Sequence, residues 1–508
     1  MMYIILRSGA SILPANLPLS FIPSTMTCCI KIHCVSRVHL AADPIWHKHG
    51  VAAHTSPTSL DVLRCSSSSH SQTPQSPSLA SAMTTYILSK GSDRLQTSGD
   101  NDEPQPYDVL SKYLRLPDFD QHQWWQNTAP MLGKLLSQCK YNTHQQYQYL
   151  CLYALHIIPF LGPWPDIQRS KLYKSVLSGL GPLEFSQNFM KTGKTVRMGF
   201  EPTTFIASTS HDVCNRYALG EALNRFKQLD IKLDLQLYHQ LVNEVSLTDQ
   251  EEDILRGRGM LEEEPAKSQS LLALDFNNDV TVKLYLYPQL KSLATGIPRA
   301  QLMFNAVRNV DATGAFSESL DMIEEYFDSV RATTAPYWIS CDLVEPHKTR
   351  FKIYIALFQV NIENAVSMWT LGNRITDRET MTGLAMVRDL WSSFDICDGL
   401  REQKNRPGNP GDPANIIPML FNLEILPGRT YPQPKIYFPT TGMNDLDVAK
   451  VMVEFFERHG LHEHAQSYID NLASYVPHMD LNDCTDLQAW ISFSYSDATG
   501  PYITVYYH

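Results

Sequence analysis

Three segments of this sequence repeat a lysine that is followed two positions later by a tyrosine. They are VKLYL, FKIYI and PKIYF, which contain Lys283 and Tyr285, Lys352 and Tyr354, and Lys435 and Tyr437. Two further segments keep one half of the pair, since VRMGF contains Arg197 and ITVYY contains Tyr506. Residues two apart in a β-strand point to the same face. Each pair therefore directs a cation and a phenol into the same space.

Basic side chains that converge on one enclosed space predict an anion site, because buried charges without a partner are costly. Arg350 lies two residues before Lys352 and adds a cation to its face. The predicted anion-binding residues are Arg197, Lys283, Arg350, Lys352 and Lys435. A pyrophosphate suits such a set, which can do the electrostatic work of magnesium ions. Aromatic faces stabilise a nearby cation, so the combination is what ionisation of an allylic pyrophosphate requires.

The same alternation also fits a half-exposed sheet on which lysine and tyrosine form the solvated face. Three repeats in register, each on the second strand of a predicted hairpin, favour a lined pocket over that alternative. The neighbouring Val, Leu, Ile and Phe positions then pack the opposite face of each strand against helices.

The C-terminal segment shows most clearly which elements position these residues. Asn444 offers an N-cap, apolar residues follow at helical spacing, and Gly460 ends the predicted helix. A second helical pattern, HEHAQSYIDNLASYV, precedes two strand patterns, QAWISFSY and YITVYY. The turn sequence SDATGP joins these two strands into a hairpin.

The order helix, helix, strand, strand is found five times from Asp108 onward. The earlier hairpins are LEFSQNFM with TVRMGFEP, LLALDF with VTVKLYLYP, YWISCDLVE with RFKIYIAL, and MLFNLEILP with PKIYFP. Hairpins make neighbouring strands antiparallel, and ten strands leave exposed edges unless the sheet closes. We therefore predict an α+β fold in which helices surround a ten-stranded barrel with an accessible lumen. The alternative is an open sheet with helices on one face.

The composition is typical of a globular protein that does not bind nucleic acid. Hydrophobic residues make up 43% and charged residues 19% of the chain, which suits a large core. The net charge of −11 argues against a nucleic-acid partner, and no apolar run has the length of a membrane span. The ten cysteines include no CxxC pair, which favours reduced thiols in a cytoplasmic protein.

The first part of the chain lacks the patterns of a folded core. Residues 56–82 are rich in Ser and Pro and cannot bury enough apolar surface to fold. We interpret residues 1–82 as disordered, or as an over-extended start before Met83, in preference to a targeting peptide. Residues 83–106 are then a linker, and residues 107–508 form the barrel domain.

Two motifs can be weighed as sites of other chemistry, a phosphate-binding loop and a zinc site. The sequence TGKT (192–195) resembles the end of a phosphate-binding loop, but Asn188 stands where that motif needs a glycine. Strand patterns on both sides favour a hairpin turn. A zinc site would need a fourth ligand beside the clustered His459, His462 and His464, so we predict no metal site.

A set of ordered motifs extends over residues 107–508. They are WW (124–125), IIPFLGPWP (157–165), GPLEFSQNF with VRMGFEP (181–202), VKLYLYP, RFKIYIA, PKIYFP with GMND, and SFSY before YITVYY. Together they resemble the dimethylallyltryptophan synthase family of fungal aromatic prenyltransferases. The resemblance implies the αββα prenyltransferase barrel, with five helix-helix-strand-strand units. It also implies transfer of a dimethylallyl or longer prenyl group from its diphosphate to an indole carbon in alkaloid biosynthesis.

The resemblance implies neither a divalent metal nor another cofactor, and the sequence has no DDxxD motif. It places Glu184, in PLEFS, where the family's glutamate accepts a hydrogen bond from the indole N–H. It assigns the pyrophosphate to Arg197, Lys283, Arg350 and Lys352, while Lys435 stands where some members have Gln. The aromatic shield that it implies consists of Tyr285, Tyr354, Tyr437, Trp490 and Tyr506.

The resemblance also bears on the acceptor. Enzymes that prenylate tryptophan at C4 place a catalytic lysine just before LLALDF, where this sequence has Ser268-Gln269-Ser270. This departure disfavours prenylation of free tryptophan at C4. The implied partners are a prenyl diphosphate and an aromatic small molecule, and a homodimer is among the assemblies left open.

Two alternatives to an indole prenyltransferase remain. The same barrel can prenylate a phenolic or tricyclic acceptor, or it can be a non-catalytic barrel that carries an aromatic or isoprenoid ligand. A carrier has no use for a buried carboxylate beside a cation cage, so Glu184 favours an enzyme.

Overall fold

The computed structural model describes residues 104–165, 175–177, 181–263, 267–277, 279–401 and 417–508. The predicted N-terminal segment 1–82, and residues 83–103 of the predicted linker, lie outside the described residues. Within the described ranges, no helix has both the length and the hydrophobicity of a membrane-spanning segment.

Ten of the described strands form one closed antiparallel barrel. In chain order the strands are β1 (Leu183–Met190), β2 (Gly193–Phe200), β3 (Ser270–Asp275), β4 (Thr281–Leu286), β5 (Thr334–Asp342), β6 (Phe351–Leu357), β7 (Gln359–Val360), β8 (Gly399–Leu400), β9 (Met419–Ile425), β10 (Gln433–Pro439), β11 (Gln488–Ser496) and β12 (Gly500–Tyr507). The order around the barrel is β1-β2-β3-β4-β5-β6-β9-β10-β11-β12, and β12 pairs with β1 to close it. Strands β7 and β8 pair separately. The predicted ten-stranded closed barrel is confirmed, and the open sheet is excluded.

Helices precede every hairpin of the barrel. They are α1 (Pro106–Tyr113), α2 (Phe119–Gln138), α3 (Thr143–Leu152), α4 (Ala218–Gln228), α5 (Leu235–Val245), α6 (Asp249–Gly257), α7 (Met260–Glu263), α8 (Gln289–Thr295), α9 (Arg299–Val310), α10 (Ser317–Val330), α11 (Ile362–Trp369), α12 (Arg378–Ser393), α13 (Asp445–Arg458) and α14 (His462–Tyr475). Within the ranges that the structure describes, two helices precede each of the last two hairpins, as predicted. The first three hairpins follow additional helices that the sequence patterns did not separate.

Side chains at the start of α13 show how a helix is attached to the barrel. The Asn444 side chain accepts the backbone N–H of Asp447 at 3.1 Å, which confirms the predicted N-cap. The Asp445 carboxylate accepts the backbone N–H groups of Leu487 and Gln488 at 3.0 and 2.8 Å. Through these bonds α13 holds the start of β11, which is one wall of the barrel.

The hydrophobic core lies between the outer face of the barrel and the helices. On β2, Val196, Met198 and Phe200 point outward and are fully buried. Phe200 packs against Phe226 of α4, with ring centroids 6.3 Å apart. Burial of one such side chain contributes about 1.5–3 kcal/mol. Because the outer face is apolar, the alternate residue Arg197 faces the lumen.

Candidate active site

The barrel lumen contains two adjoining compartments. The aromatic compartment has about 940 Å³ of space between atoms, part of it open to solvent. Its lining includes Glu184, Tyr285, Trp338, Tyr354, Tyr437, Trp490, Tyr506 and His508. The lining of the basic compartment includes Arg197, Arg350, Lys352, Glu424, Lys435 and Tyr502. Arg197 lines both compartments and so marks their junction.

Four tyrosines form a continuous arc in the aromatic compartment. They are Tyr285 on β4, Tyr354 on β6, Tyr437 on β10 and Tyr506 on β12. Neighbouring ring centroids along this arc are 5.9, 5.9 and 6.0 Å apart. The structure therefore brings together all four tyrosines that the sequence pattern directs inward.

Two tryptophans add to the aromatic lining. Trp490 lies beside Tyr506, its cross-strand neighbour. Sequence reasoning missed Trp338, whose ring centroid lies 5.4 Å from that of Tyr354 and 6.3 Å from that of Tyr285. The signal was present in YWISCD, where Trp338 lies two and four residues before Ser340 and Asp342 and so shares their lumen-facing side of the strand.

Burial keeps the phenols of this arc neutral. It raises the pKa of Tyr285, Tyr354 and Tyr437 above the ordinary range. Asn422 Nδ2 donates to the Tyr437 hydroxyl at 2.8 Å, and that hydroxyl donates to Tyr354 at 3.4 Å. A neutral phenol offers its ring face to a cation without presenting a phenolate that would capture it.

Buried carboxylates hold the predicted cations of the basic compartment in place. Asp275 accepts hydrogen bonds from Arg197, its cross-strand neighbour on β2. The Nζ of Lys283 lies 3.1 Å from Asp275 and 2.6 Å from Asp342. This one lysine therefore joins two carboxylates.

The same chain of ion pairs continues on the next strands. Arg350 lies 2.9 Å from Asp342 through Nε and 3.2 Å from Glu424 through Nη1. The Nζ of Lys352 lies 3.0 Å from Glu424, its cross-strand neighbour on β9. Cations and carboxylates therefore alternate along the barrel wall from Arg197 to Lys352.

Sequence reasoning missed the three carboxylates of Asp275, Asp342 and Glu424. Each lies near the end of the first strand of a hairpin, in LLALD, YWISCD and MLFNLE. Opposite charges on neighbouring strands stabilise each other, so the repeated lysines on the second strands were a signal for acids on the first.

The cations keep these carboxylates ionised in spite of their burial. Burial by itself would raise the pKa of Asp275, but the charges of Arg197 and the neighbouring lysine hold it far below its ordinary range. The same balance, with Lys352 and Arg350, lowers the pKa of Glu424 to about 2. The basic compartment is therefore a fixed array of charges of both signs.

Lys435 differs from the other four cations. Its Nζ lies 3.3 Å from Thr504 Oγ1 and 4.5 Å from the ring centroid of Tyr502, and no carboxylate among the described residues forms a salt bridge with it. Burial, together with the charges of Lys352 and Arg197, lowers the pKa of Lys435 well below its ordinary value. An anion in this compartment would supply the missing negative charge.

Glu184 lines the aromatic compartment from β1, opposite Gly199 on β2. Its Oε2 lies 2.8 Å from Nε2 of His508, which follows β12. A Cβ at position 199 would lie 3.7 Å from Oε1 of Glu184, so the glycine leaves this oxygen uncovered on that side. Sequence reasoning missed His508, which lies outside the repeated strand patterns.

The segment that resembles a phosphate-binding loop and the histidine cluster weighed as a zinc site have structural roles. In the TGKT sequence, Thr192 lies in the turn that follows β1, and Gly193, Lys194 and Thr195 are the first residues of β2. His464 contacts the Met190 backbone carbonyl at 2.8 Å through Nε2, and His462 pairs with Glu457 on the helix surface.

The arrangement suits a substrate with an anionic end and a fragment that becomes cationic. The excess of basic over acidic side chains can accommodate such an anion, and the neutral aromatic arc has room for the fragment beside it. Hydrogen-bond acceptance by Glu184 provides a place for a donor group of a second molecule in the same compartment.

Comparison with known proteins agrees with this chemistry. The family model for tryptophan dimethylallyltransferase matches residues 120–471. Roquefortine prenyltransferase roqD of Penicillium rubens is 42% identical over 405 residues, which are 79% of this chain and 94% of the relative.

Solved structures show the same fold. The crystal structure of AnaPT from Neosartorya fischeri has a TM-score of 0.71 and 32% identity, and covers 80% of this chain and 98% of its own. That of NotF in complex with brevianamide F and DMSPP has a TM-score of 0.70 and 34% identity, with the same coverage. This chain therefore belongs to the tryptophan dimethylallyltransferase family and is an aromatic prenyltransferase of the αββα barrel fold.

Proposed function

We propose that this prenyltransferase moves a dimethylallyl group, or a longer prenyl group, from its diphosphate to a ring carbon of a tryptophan-derived indole acceptor without a divalent metal. One observation carries the proposal. A single lumen joins an array of buried cations to a compartment lined by neutral aromatic rings, and Arg197 lines both. The NotF structure, with brevianamide F and DMSPP bound, supports two substrates in such a barrel.

In the first step the diphosphate binds in the basic compartment. Arg197, Arg350, Lys352 and Lys435 line this space, and Lys283 supports it through Asp275 and Asp342. The bond between the allylic carbon and the diphosphate oxygen breaks, and its electron pair stays on that oxygen. Fixed cations stabilise the charge that develops there, which is the work a metal ion does elsewhere.

In the second step the allylic cation lies against the aromatic arc. Ring faces of Tyr285, Tyr354, Tyr437 and Tyr506 stabilise it and keep water away. Because burial holds these phenols neutral, none of them competes as an anionic nucleophile.

In the third step an indole ring carbon attacks the cation and forms the new carbon–carbon bond. Glu184 accepts a hydrogen bond from the indole N–H, which raises the electron density of the ring for this attack. A base then takes the proton from the attacked carbon, and the electron pair of that C–H bond restores aromaticity.

The acceptor that we favour is a tryptophan derivative other than free tryptophan prenylated at C4. Gln269, within the segment Ser268-Gln269-Ser270 that stands where the C4 enzymes have their lysine, uses its side chain in the scaffold. It accepts the Leu247 backbone N–H at 2.7 Å and donates to the Cys214 carbonyl at 3.3 Å. The names of the relatives, which include roquefortine prenyltransferase and deoxybrevianamide E synthase, support a tryptophan-derived acceptor.

One assay tests this function. The purified protein is incubated with dimethylallyl diphosphate, a chelator and a panel of free tryptophan, a tryptophan-containing cyclic dipeptide, an indole diterpene and a phenolic aromatic. We expect a mass increase of one prenyl group on the cyclic dipeptide. Turnover of the phenolic compound alone would contradict the indole acceptor and favour the alternative acceptor class.

We also propose that the protein is cytoplasmic. Six cysteines in the described ranges are free thiols: Cys139, Cys151, Cys214, Cys341, Cys397 and Cys484. Reduced thiols are typical of that compartment, and cell fractionation tests the location. A homodimer stays a prediction, which analytical ultracentrifugation of the purified protein tests.

A further inference from the structure

His508 contacts the carboxylate of Glu184 and has no part in the reaction steps proposed above. Oε2 of Glu184 lies 2.8 Å from Nε2 of His508. The side chain of Glu184 is 13% exposed and that of His508 is 4% exposed, so both groups are largely removed from water. Among the described residues, no other side chain hydrogen-bonds to Glu184.

The two oxygens of this carboxylate have different surroundings. Oε2 meets the imidazole, whereas Oε1 lies beside Gly199, which has no side chain to cover it. An ionised carboxylate only accepts hydrogen bonds, so His508 is the donor when Glu184 is charged. The contact thus occupies one oxygen and leaves the other for a donor in the aromatic compartment.

We propose that His508 is a positioning residue that fixes the rotamer of Glu184 for binding the acceptor. The inference rests on the proposed function, because it gives His508 a role through the glutamate that meets the indole. A buried carboxylate without a donor is costly. Loss of the imidazole therefore releases the side chain to other rotamers, in which Oε1 no longer points to the place of an indole N–H.

The contact exists only in the closed barrel. Glu184 lies on β1 and His508 follows β12, 324 residues away in sequence, and the pairing of β1 with β12 brings them together. The imidazole is thus anchored where the sheet closes, at the wall of the aromatic compartment and away from the ion-pair chain. Its removal is expected to affect the acceptor and to spare the diphosphate.

Three substitutions separate hydrogen-bond donation from bulk. His508→Gln places an amide donor near the position of Nε2, His508→Asn is one methylene too short, and His508→Ala has no donor. We expect kcat/KM for the acceptor to fall on the order of 10²–10³ in His508→Ala and His508→Asn, by analogy with a lost positioned donor. The kcat/KM of His508→Gln for the acceptor should stay within about tenfold of that of the parent enzyme.

The controls keep the readout specific. Calorimetry with dimethylallyl S-thiolodiphosphate should give an unchanged dissociation constant in all three variants, which also shows that the barrel is folded. His462 forms a His–Glu contact of similar length, 2.7 Å, on the helix surface, so His462→Ala is the matched control and should keep full activity.

The outcomes distinguish this inference from the proposed function. If the parent enzyme prenylates an indole acceptor and His508→Ala does so equally well, the positioning role is wrong. The role is also wrong if His508→Asn matches His508→Gln while both bind the diphosphate analogue normally. If the parent enzyme prenylates no member of the acceptor panel, the proposed function fails instead.

Discussion

Two lysines of the same sequence repeat are held by different neighbours. Lys283 lies between the carboxylates of Asp275 and Asp342, whereas Lys435 lies against the Thr504 hydroxyl and the ring of Tyr502. Removal of Lys283 takes one of two cationic partners from each of these carboxylates, and each keeps an arginine partner. Removal of a buried cation without a carboxylate partner instead relieves a burial penalty. The same substitution should therefore act differently at the two positions.

We expect Lys283→Met to lower the free energy of unfolding by about 1.5–3 kcal/mol, because two hydrogen bonds between charged groups are lost. Lys435→Met should leave it unchanged or raise it, although both variants lose a cation near the diphosphate. Urea unfolding followed by tryptophan fluorescence measures both changes. Lys450→Met, at a lysine that is 57% exposed on α13, is the control. Equal decreases in the free energy of unfolding for Lys283→Met and Lys435→Met would contradict this assignment of partners.

The pKa values of two lysines predict how diphosphate binding depends on pH. Burial and neighbouring cations lower the pKa of Lys352 to about 8 and that of Lys435 well below its ordinary value. In the empty site these amines lose their protons at lower pH than an ordinary lysine. A bound diphosphate favours their protonated forms, so binding takes up protons and weakens as the pH rises above about 8.

Calorimetry with dimethylallyl S-thiolodiphosphate between about pH 7 and 9.5, in buffers of different ionisation enthalpy, measures this proton uptake. Lys435→Gln should show a smaller uptake and a shallower decline in affinity. An affinity that stays constant over this interval would show that the lysines are already protonated in the empty site.

At the scale of elements, local signals made the strands predictable. The segment LEFSQNFM coincides with β1 at both ends, and the Lys-x-Tyr repeats lie on β4, β6 and β10. The same alternation contained the carboxylates and Trp338, which a search for opposite charges and inward aromatics would have found. His508 was not predictable from local pattern, because its partner becomes a neighbour only when β12 pairs with β1. The additional helices of the first three units also escaped prediction, since short amphipathic helices depend on tertiary packing.

A glycine shows how closely one helix approaches the barrel. Gly383 lies in α12, where a Cβ would lie 2.7 Å from Trp369 Cζ2 and 3.0 Å from Tyr495 Cβ. An alanine in a helix ordinarily stabilises it by up to about 1 kcal/mol relative to glycine. Here the overlap with a buried tryptophan ring, which costs about 1–3 kcal/mol, exceeds that gain.

We therefore expect Gly383→Ala to lower the midpoint of thermal unfolding. The matched control is Gly257→Ala at the end of α6, where a Cβ meets no atom within 4 Å. That substitution should be neutral or slightly stabilising. Differential scanning fluorimetry measures both, and a stabilised Gly383→Ala would mean that α12 can move away from Trp369 at little cost.

At the scale of the whole molecule, the barrel accounts for the length shared with relatives. Roquefortine prenyltransferase roqD matches 94% of its own length to 79% of this chain. We expect a chain that begins at Met83 to fold and to keep full activity, because residues 1–82 have no core pattern. Expression of the shortened protein, with activity and thermal unfolding as readouts, tests this. An insoluble or inactive product would show that the segment contributes to the fold.

The charge balance of the closed lumen decides whether a metal is needed. Arg197, Lys283, Arg350, Lys352 and Lys435 face three carboxylates, so the basic compartment has an excess of two positive charges when all are ionised. A diphosphate brings negative charge into the compartment at the place where Lys435 has no carboxylate partner among the described residues. In the proposed function, fixed cations stabilise the leaving group, and the aromatic compartment beside them keeps water from the allylic cation.

We expect turnover to stay within about twofold when a chelator is added, because these fixed cations replace the electrostatic role of magnesium. Initial rates with and without chelator, at saturating diphosphate and acceptor, measure the effect. Lys435→Gln makes the test sharper, since it removes one cation without leaving a carboxylate unpaired. If magnesium partly restores the rate of Lys435→Gln but does not change that of the parent enzyme, the lysine has the role of a metal ion. Complete loss of the parent activity in chelator, restored by magnesium alone, would refute metal independence.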